Sequence, residues 1–154
     1  MKSLLVLFSY HHKNTEKIAN VIAKVLDAQI KTPEQIKAEE LQEYGLTGFG
    51  SGIYGGKHHK LLLDLADTIP HITNRKAFIF STAALTGKAK VAMDHSLLRE
   101  KLHSKGYVIL DDFQCKGFNT NSFMKYFGGM NKGRPNAEDL KHAEEFAQKL
   151  KQNL

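Results

Sequence analysis

Short, fully apolar runs alternate along the chain with segments in which apolar residues recur at helical spacing. Residues 4–8, 77–80 and 107–110 are apolar at every position, a pattern typical of strands buried on both faces. Weaker patterns at 28–30 and 44–49 predict two further strands, the second of which contains glycines. The sequence therefore predicts five strands.

Four segments carry apolar residues on one face of a helix. The predicted helices cover residues 15–27 and 58–67, a segment that ends at Gly106, and a last segment that follows Asn136. Asn14 and Asn136 stand where N-cap residues belong. The residues assigned to the buried faces are Ile18, Val21, Ile22, Val25, Leu61, Leu62, Leu65, Val91, His95, Leu98, Leu102, Leu140, Ala143, Phe146 and Leu150.

Strands that alternate with helices predict a doubly wound α/β fold, with a parallel sheet and helices on both of its faces. The length fits one domain over residues 1–154, and residues 111–135 are expected to be irregular. Ligands of such sheets bind at the carboxyl ends of the strands, where the strand order reverses. The connections after the first, third and fourth strands are therefore the candidate site.

The first connection, residues 9–15, leads from a buried strand into a helix. A helix N-terminus exposes unpaired N–H groups and a partial positive charge, which together favour a phosphate monoester. The side chains that add donors are Ser9, His11, His12, Lys13, Asn14 and Thr15. The alternative is an ordinary polar turn before a capped helix.

The other two connections are rich in small residues. Residues 48–56 contain five glycines and Tyr54, whose ring could stack on a flat ligand; the alternative is a flexible surface loop. Residues 81–87 combine small hydroxyl side chains with Gly87. None of the three connections contains Asp or Glu, so the region in which they are expected to converge suits an anionic ligand.

Together these segments resemble the flavodoxin family over nearly the whole chain. Residues 9–15 resemble its FMN-phosphate loop, although Lys13 stands where that loop usually has glycine. Residues 48–56 and 81–87 resemble the loops on the two sides of the isoalloxazine ring, and 129–140 is similar to the lead-in to the last helix of short flavodoxin-domain proteins. The resemblance implies a five-stranded sheet in the order 2-1-3-4-5, noncovalent FMN and redox chemistry.

The resemblance also implies which residues contact the cofactor. The phosphate would be held by Ser9, His11, His12, Asn14 and Thr15. One side of the ring would be lined by Gly52, Ile53, Tyr54 and Gly55, and the other by Ser81, Thr82, Ala83, Leu85 and Gly87. The chain has no Trp to stack on the ring, so Tyr54 is the nearest substitute.

The net charge of +6, from 22 basic and 16 acidic residues, favours anionic partners: a phosphate-bearing cofactor, an acidic protein or nucleic acid. The alternative is a charge that only maintains solubility. Residues 116–134 hold four basic side chains and four aromatic rings but no acid. Packing of these rings on the domain is expected first, a partner or substrate surface second, and nucleic-acid binding last.

Three features of the sequence bear on disulfides, on location and on metal binding. One cysteine, Cys115, excludes an internal disulfide and is expected to be a small packed side chain. No apolar run could span a bilayer, so a cytoplasmic protein is expected. The paired histidines at 11–12 and 58–59 do not have metal-site spacing, and no metal is expected.

Three functions remain open, and no side chain is assigned a catalytic role. The first is an FMN-binding redox protein that carries electrons between protein partners, acidic ones included. The second is an FMN-dependent NAD(P)H oxidoreductase acting on a quinone or a similar acceptor. The third is a binding module with this fold and no flavin.

Overall fold

The computed structural model describes residues 2–9, 13–117 and 132–154. The strands are β1 (Ser3–Phe8), β2 (Gln29–Lys31), β3 (Leu46–Tyr54), β4 (Lys57–His58), β5 (Lys76–Ala83) and β6 (Val108–Lys116). The helices are α1 (Asn14–Leu26), α2 (Lys60–Thr68), α3 (Lys88–Ser104) and α4 (Ala137–Gln152), with a short 3-10 helix (Ala38–Glu43) before β3.

The main sheet is parallel and runs in the order β2-β1-β3-β5-β6. This confirms the predicted order, since the two-residue β4, which was not predicted, only pairs antiparallel with the end of β3. From β1 the chain moves outward to β2 and then returns to the other side of β1 as β3. The carboxyl ends of β1 and β3, where Phe8 pairs with Ser51, therefore flank the point at which the strand order reverses.

The core lies in two layers, one on each face of the sheet. In β1, Leu4 and Val6 pack on the face covered by α2 and α3, whereas Leu5 and Leu7 pack under α1 and α4. All four are buried, as expected for a central strand whose side chains alternate between two covered faces. The apolar run that predicted this strand thus reflects burial on both sides.

Strand β3 is longer than predicted. It continues through the glycines to Tyr54, so the loop predicted over 48–56 is wrong for all but its last two residues. A Cβ at Gly48 would lie 2.3 Å from the ring of Phe78, and one at Gly50 would lie 2.2 Å from the ring of Phe80. The glycines are therefore part of the sheet because two phenylalanine rings from the neighbouring β5 occupy the space of their side chains.

Two other boundaries differ from the prediction. Strand β6 extends to Lys116 because β5 is also longer than predicted and offers backbone partners as far as Ala83, so the irregular segment predicted from 111 is wrong over 111–116. Helix α2 starts at Lys60 because residues 57–58 belong to β4, and Leu63 is buried there while Leu61 is only partly covered. Residues 118–131 of the predicted irregular segment lie outside the described residues.

Helix α4 begins as predicted. The Asn136 side chain accepts a hydrogen bond from the Asp139 N–H at 2.9 Å, and the Asp139 carboxylate accepts one from the Asn136 N–H at 2.8 Å. This reciprocal pair is a capping box, and Arg134 also binds the same carboxylate. The charges of Asp139 and Arg134 also act on the pKa of Cys115 near the end of β6, which places the start of α4 at the carboxyl edge of the sheet.

Candidate functional site

The first turn of α1 lies directly after β1 at the carboxyl edge. Lys13 precedes it in a left-handed conformation, with φ of 50°, and makes no side-chain cap. The prediction of Asn14 as N-cap is wrong, because the backbone of Lys13 makes the turn and Asn14 is already helical. The Asn14 side chain packs against Gly117 instead, where a Cβ would come within 2.7 Å of its Nδ2.

The first and third connections meet through two threonines. Thr15 is 2% exposed, and its Oγ1 lies 2.8 Å from Oγ1 of Thr82 in β5. Ser9 is nearby in the chain, and its Oγ accepts a hydrogen bond from the Glu16 N–H at 3.3 Å. The structure therefore brings Thr15 and Thr82 together, while His11 and His12 of the predicted phosphate site lie outside the described residues.

The β3–β4 hairpin places an aromatic group at the same edge. Gly55 and Gly56 make its turn with φ of 61° and 78°, and the Tyr54 ring meets the His59 ring edge-on with centroids 5.0 Å apart. His59 also stacks on Phe8 at the end of β1, with centroids 3.8 Å apart. Burial lowers the pKa of the His59 imidazole, with Asp64 only partly opposing it, so a neutral ring is favoured at this position.

Two other predicted residues of the hairpin have defined places. Gly52 is paired with Thr82 across the sheet, and a Cβ at this glycine would lie 3.3 Å from the Tyr54 ring. Ile53 pairs with His58 of β4. The predicted ring-lining residues of this hairpin thus form the last three residues of β3 and the first residue of its turn, beside the aromatic group.

The predicted residues after β5 are divided between two faces of the sheet. Ser81, Thr82 and Ala83 belong to the strand and not to the loop, because β6 pairs with all three. Thr82 faces α1, whereas the Ser81 side chain points under α3. Leu85 is 60% exposed in the connection itself, and Gly87 precedes α3 with φ of 141°. The role of these residues in binding remains a prediction.

A buried polar cluster that the sequence did not predict lies under α3. The Ser81 hydroxyl lies 2.7 Å from Nε2 of His95, whose Nδ1 lies 2.9 Å from the carboxylate of Asp112. Gln114 Nε2 donates to Ser81 Oγ at 3.1 Å and to Asp94 Oδ2 at 2.8 Å. The cluster joins β5, α3 and β6 just below the candidate site.

The hydrogen-bond partners fix the roles within this cluster. The Asp112 carboxylate accepts the Nδ1 proton of His95, and Ser81 Oγ accepts from Gln114 Nε2; the bond between Ser81 Oγ and His95 Nε2 completes the chain. Burial raises the pKa of Asp112, but the bonds with His95 and Arg99 outweigh burial and hold it below its usual value.

The connectivity of this cluster matches that of a serine hydrolase, but Ser81 is fully buried and already engaged. We interpret the cluster as structural support for the connections above it. One signal was present in the sequence: His95 is a polar residue on the buried face of a helix, which requires polar partners.

His58 connects the hairpin to this cluster. Its Nε2 donates to the Phe80 carbonyl oxygen at 3.0 Å, and its ring centroid lies 5.0 Å from that of His95. The residue is 1% exposed, and burial, reinforced by the electrostatic influence of the neighbouring His95, lowers its pKa to about 3. His58 therefore stays neutral and fastens the hairpin to β5.

Three further observations bear on the expected chemistry. Cys115 is buried, which raises its pKa to about 12 and confirms a packed thiol. In the described ranges, no three or more metal-ligating side chains converge. Across those same residues, no helix has the length and apolar character needed to cross a membrane.

Comparisons with known proteins agree with this architecture. An uncharacterized protein of Methanocaldococcus jannaschii is 49% identical over 153 residues, which is 99% of this chain and all of the relative. Oxidised flavodoxin 2 of Bacillus cereus superposes with a TM-score of 0.73 at 20% identity over the full length of both chains. A Fusobacterium nucleatum flavodoxin bound to flavin mononucleotide superposes with a TM-score of 0.68 at 15% identity, over 100% of this chain and 99% of that one.

The two solved structures establish the fold alone at these identities. The family assignment rests on the flavodoxin domain, which matches residues 5–117 and so covers most of the chain. The predicted resemblance of the chain to the flavodoxin family is thereby confirmed. This chain belongs to the flavodoxin-domain family.

Proposed function

We propose that this protein binds FMN noncovalently at the carboxyl edge of its sheet and carries electrons between protein partners. The observation that best supports the proposal is the contact between Thr15 and Thr82, 2.8 Å apart, which joins the start of α1 to the end of β5. The aromatic group of Phe8, Tyr54 and His59 lies at the ends of the adjoining strands. The proposed phosphate site and the proposed ring site would thus be adjacent, as one FMN molecule requires.

The start of α1 fits the phosphate of FMN. The N–H groups of a first helical turn lack intrahelical acceptors, and the helix dipole adds partial positive charge. Lys13 adds a full charge, and no Asp or Glu occurs in residues 9–15. Ser9, Asn14 and Thr15 would hold the phosphate together with His11 and His12.

The connections after β3 and β5 fit the two sides of a flavin ring. Gly52, Ile53, Tyr54 and Gly55 would line one side, and Thr82, Ala83, Leu85 and Gly87 the other, whereas the predicted Ser81 is buried under α3 and would support this side from below. The exposed Leu85 and the half-buried Tyr54 offer apolar surface to an aromatic ligand. Bound FMN supplies the electron chemistry, and the residues of this chain bind it, orient it and set the charge around it.

The proposal is tested by titrating flavin-depleted protein with FMN and with riboflavin, which lacks the phosphate. We expect the protein as purified to be yellow and FMN to bind about a hundredfold more tightly than riboflavin, because charge-assisted hydrogen bonds to the phosphate are lost. Colourless protein that gives no heat with FMN would select the flavin-free binding module.

A second experiment on the same preparation distinguishes an electron carrier from an NAD(P)H oxidoreductase. Anaerobic mixing of the flavin-loaded protein with NADPH is followed by absorbance of the oxidised flavin. A carrier is expected to keep its oxidised spectrum for minutes. Bleaching within seconds would favour an oxidoreductase acting on a quinone or a similar acceptor.

A further inference from the structure

Exposed lysines surround the carboxyl edge of the sheet. Lys13 precedes α1, Lys57 lies in the β3–β4 hairpin, Lys88 begins α3, and Lys132 lies before α4. All four are solvent-exposed. Because parallel strands and the helices that follow them place these positions at one edge, the four charges share one side of the molecule.

The acids near this edge do not neutralise these lysines. Asp64 pairs with Lys60, Asp94 with Lys90, Asp112 with Arg99, and Asp139 with Arg134. All sixteen acids of the chain lie in the described ranges, and none of them forms an ion pair with any of the four lysines. The edge therefore has an excess of positive charge. Glu16 and Glu138, in the first turns of α1 and α4, reduce this charge but do not pair with the lysines.

We propose that this lysine-rich edge is the docking surface for an acidic protein that exchanges electrons with the cofactor site. The inference rests on the proposed function, since the lysines surround the place where FMN would be exposed. Opposite charges around two redox centres speed their encounter and orient them, whereas a basic partner would be repelled.

The aromatic residues of the edge favour a protein over a nucleic acid. Single-stranded nucleic acids stack their bases on free aromatic faces. In the described residues of the edge, the Phe8 ring is covered by His59, and the Tyr54 ring meets the same histidine. The Phe8 face is therefore occupied and the Tyr54 ring is the one proposed to face the flavin, so the exposed charge of these described residues suits carboxylates better than bases.

The test compares two variants with the same loss of charge. The edge variant combines Lys57→Gln, Lys88→Gln and Lys132→Gln, and leaves Lys13 in place because it belongs to the proposed phosphate site. The control variant replaces three exposed lysines away from this edge, and these are Lys24, Lys37 and Lys149. Each protein is titrated into a fluorescein-labelled glutamate peptide of about twenty residues, and fluorescence anisotropy is measured at low and high salt.

The edge variant is expected to bind the glutamate peptide about tenfold more weakly than the native chain at low salt, because three exposed ion pairs are lost. The control variant is expected to lose less than about twofold, and salt should abolish the difference. Equal losses in the two variants, or no binding of the peptide by the native chain, would overturn the proposal.

Two further outcomes separate this inference from its alternatives. An oligothymidylate of equal charge that bound the edge more tightly than the glutamate peptide would identify a nucleic-acid surface and refute the protein partner. The anisotropy contrast does not require flavin, which is measured separately by absorbance. A colourless protein that shows the contrast would therefore lose the FMN proposal but retain the docking surface.

Discussion

His58 makes the stability of this fold sensitive to mild acid. Its pKa is lowered from 6.5 to about 3, chiefly because the ring is buried and 1% exposed. The unfolded chain takes up this proton near the ordinary histidine pKa, whereas the folded chain resists until near 3. The contribution of His58 is therefore complete above pH 6.5 and is lost as the pH falls from 6.5 towards 3.

The magnitude follows from proton linkage. Between the two pKa values, each pH unit removes about 1.4 kcal/mol from the free energy of unfolding, which gives about 2 kcal/mol between pH 6.5 and 5. Asp112 does not contribute in this interval, because its pKa is held below the ordinary aspartate value. The loss of about 2 kcal/mol that His58 alone causes between pH 6.5 and 5 is thus a large fraction of the free energy of unfolding of a small domain.

Urea unfolding from neutral pH down to about pH 5 measures this loss. The native chain is compared with His58→Gln, which retains a donor for the Phe80 carbonyl, and with His142→Gln, in which the replaced histidine is exposed. We expect the native chain and the His142 variant to lose stability in parallel, and the His58 variant to lose about 2 kcal/mol less. Equal pH dependence in all three proteins would refute a buried, neutral His58.

Three other substitutions test the packing below the site, and the free energy of unfolding of each variant is measured by urea denaturation. Gly50→Ala should destabilise by about 2 kcal/mol, because a Cβ would come 2.2 Å from the Phe80 ring. His95→Leu should cost about 3 kcal/mol, because the buried Ser81 and the partly buried Asp112 lose their hydrogen bonds to the ring. Asn136→Ala should cost about 1 kcal/mol, because the bond to the Asp139 N–H is lost.

Each of these substitutions has a matched control. In Gly52→Ala the new Cβ would lie 3.3 Å from the Tyr54 ring, which can move aside, so the loss of stability should be smaller than in Gly50→Ala. Equal losses would contradict close packing in β3. His142→Leu removes an exposed histidine and should be almost neutral, so an equal effect at His95 would argue against the buried cluster. Asn136→Ser preserves a capping side chain, and a loss as large as that of alanine would contradict the capping box.

The positions of several strands and the ends of several helices followed from local pattern, whereas the strand order was implied by the resemblance to flavodoxins. The apolar run at residues 4–8 predicted β1 because both faces of that strand are covered. Asn136 predicted the start of α4 because the capping box is formed by residues close in sequence. Strand β3 was cut short because glycine disfavours sheet. The rings of Phe78 and Phe80 that make room for those glycines in the sheet come from another strand, which the local sequence does not show.

The candidate site was predicted only in part for similar reasons. His95 was placed on a buried helical face, but its partners Ser81 and Asp112 lie 14 and 17 residues away, the second in a segment expected to be irregular. Capping preference favoured Asn14 as the start of α1, whereas Lys13 takes the left-handed turn that the family usually gives to glycine. The contacts of His95 with Ser81 and Asp112, and of Asn14 with Gly117, join distant parts of the chain and are not visible in the local sequence.

The phosphorus NMR signal of FMN tests most directly whether its phosphate is held at the start of α1. The free phosphate takes up a proton with a pKa of about 6, so its resonance moves with pH across that value. In the presence of excess protein we expect a shifted resonance that no longer moves with pH, because the helix N-terminus and Lys13 hold the dianion. A resonance that follows the titration curve of free FMN would contradict the account.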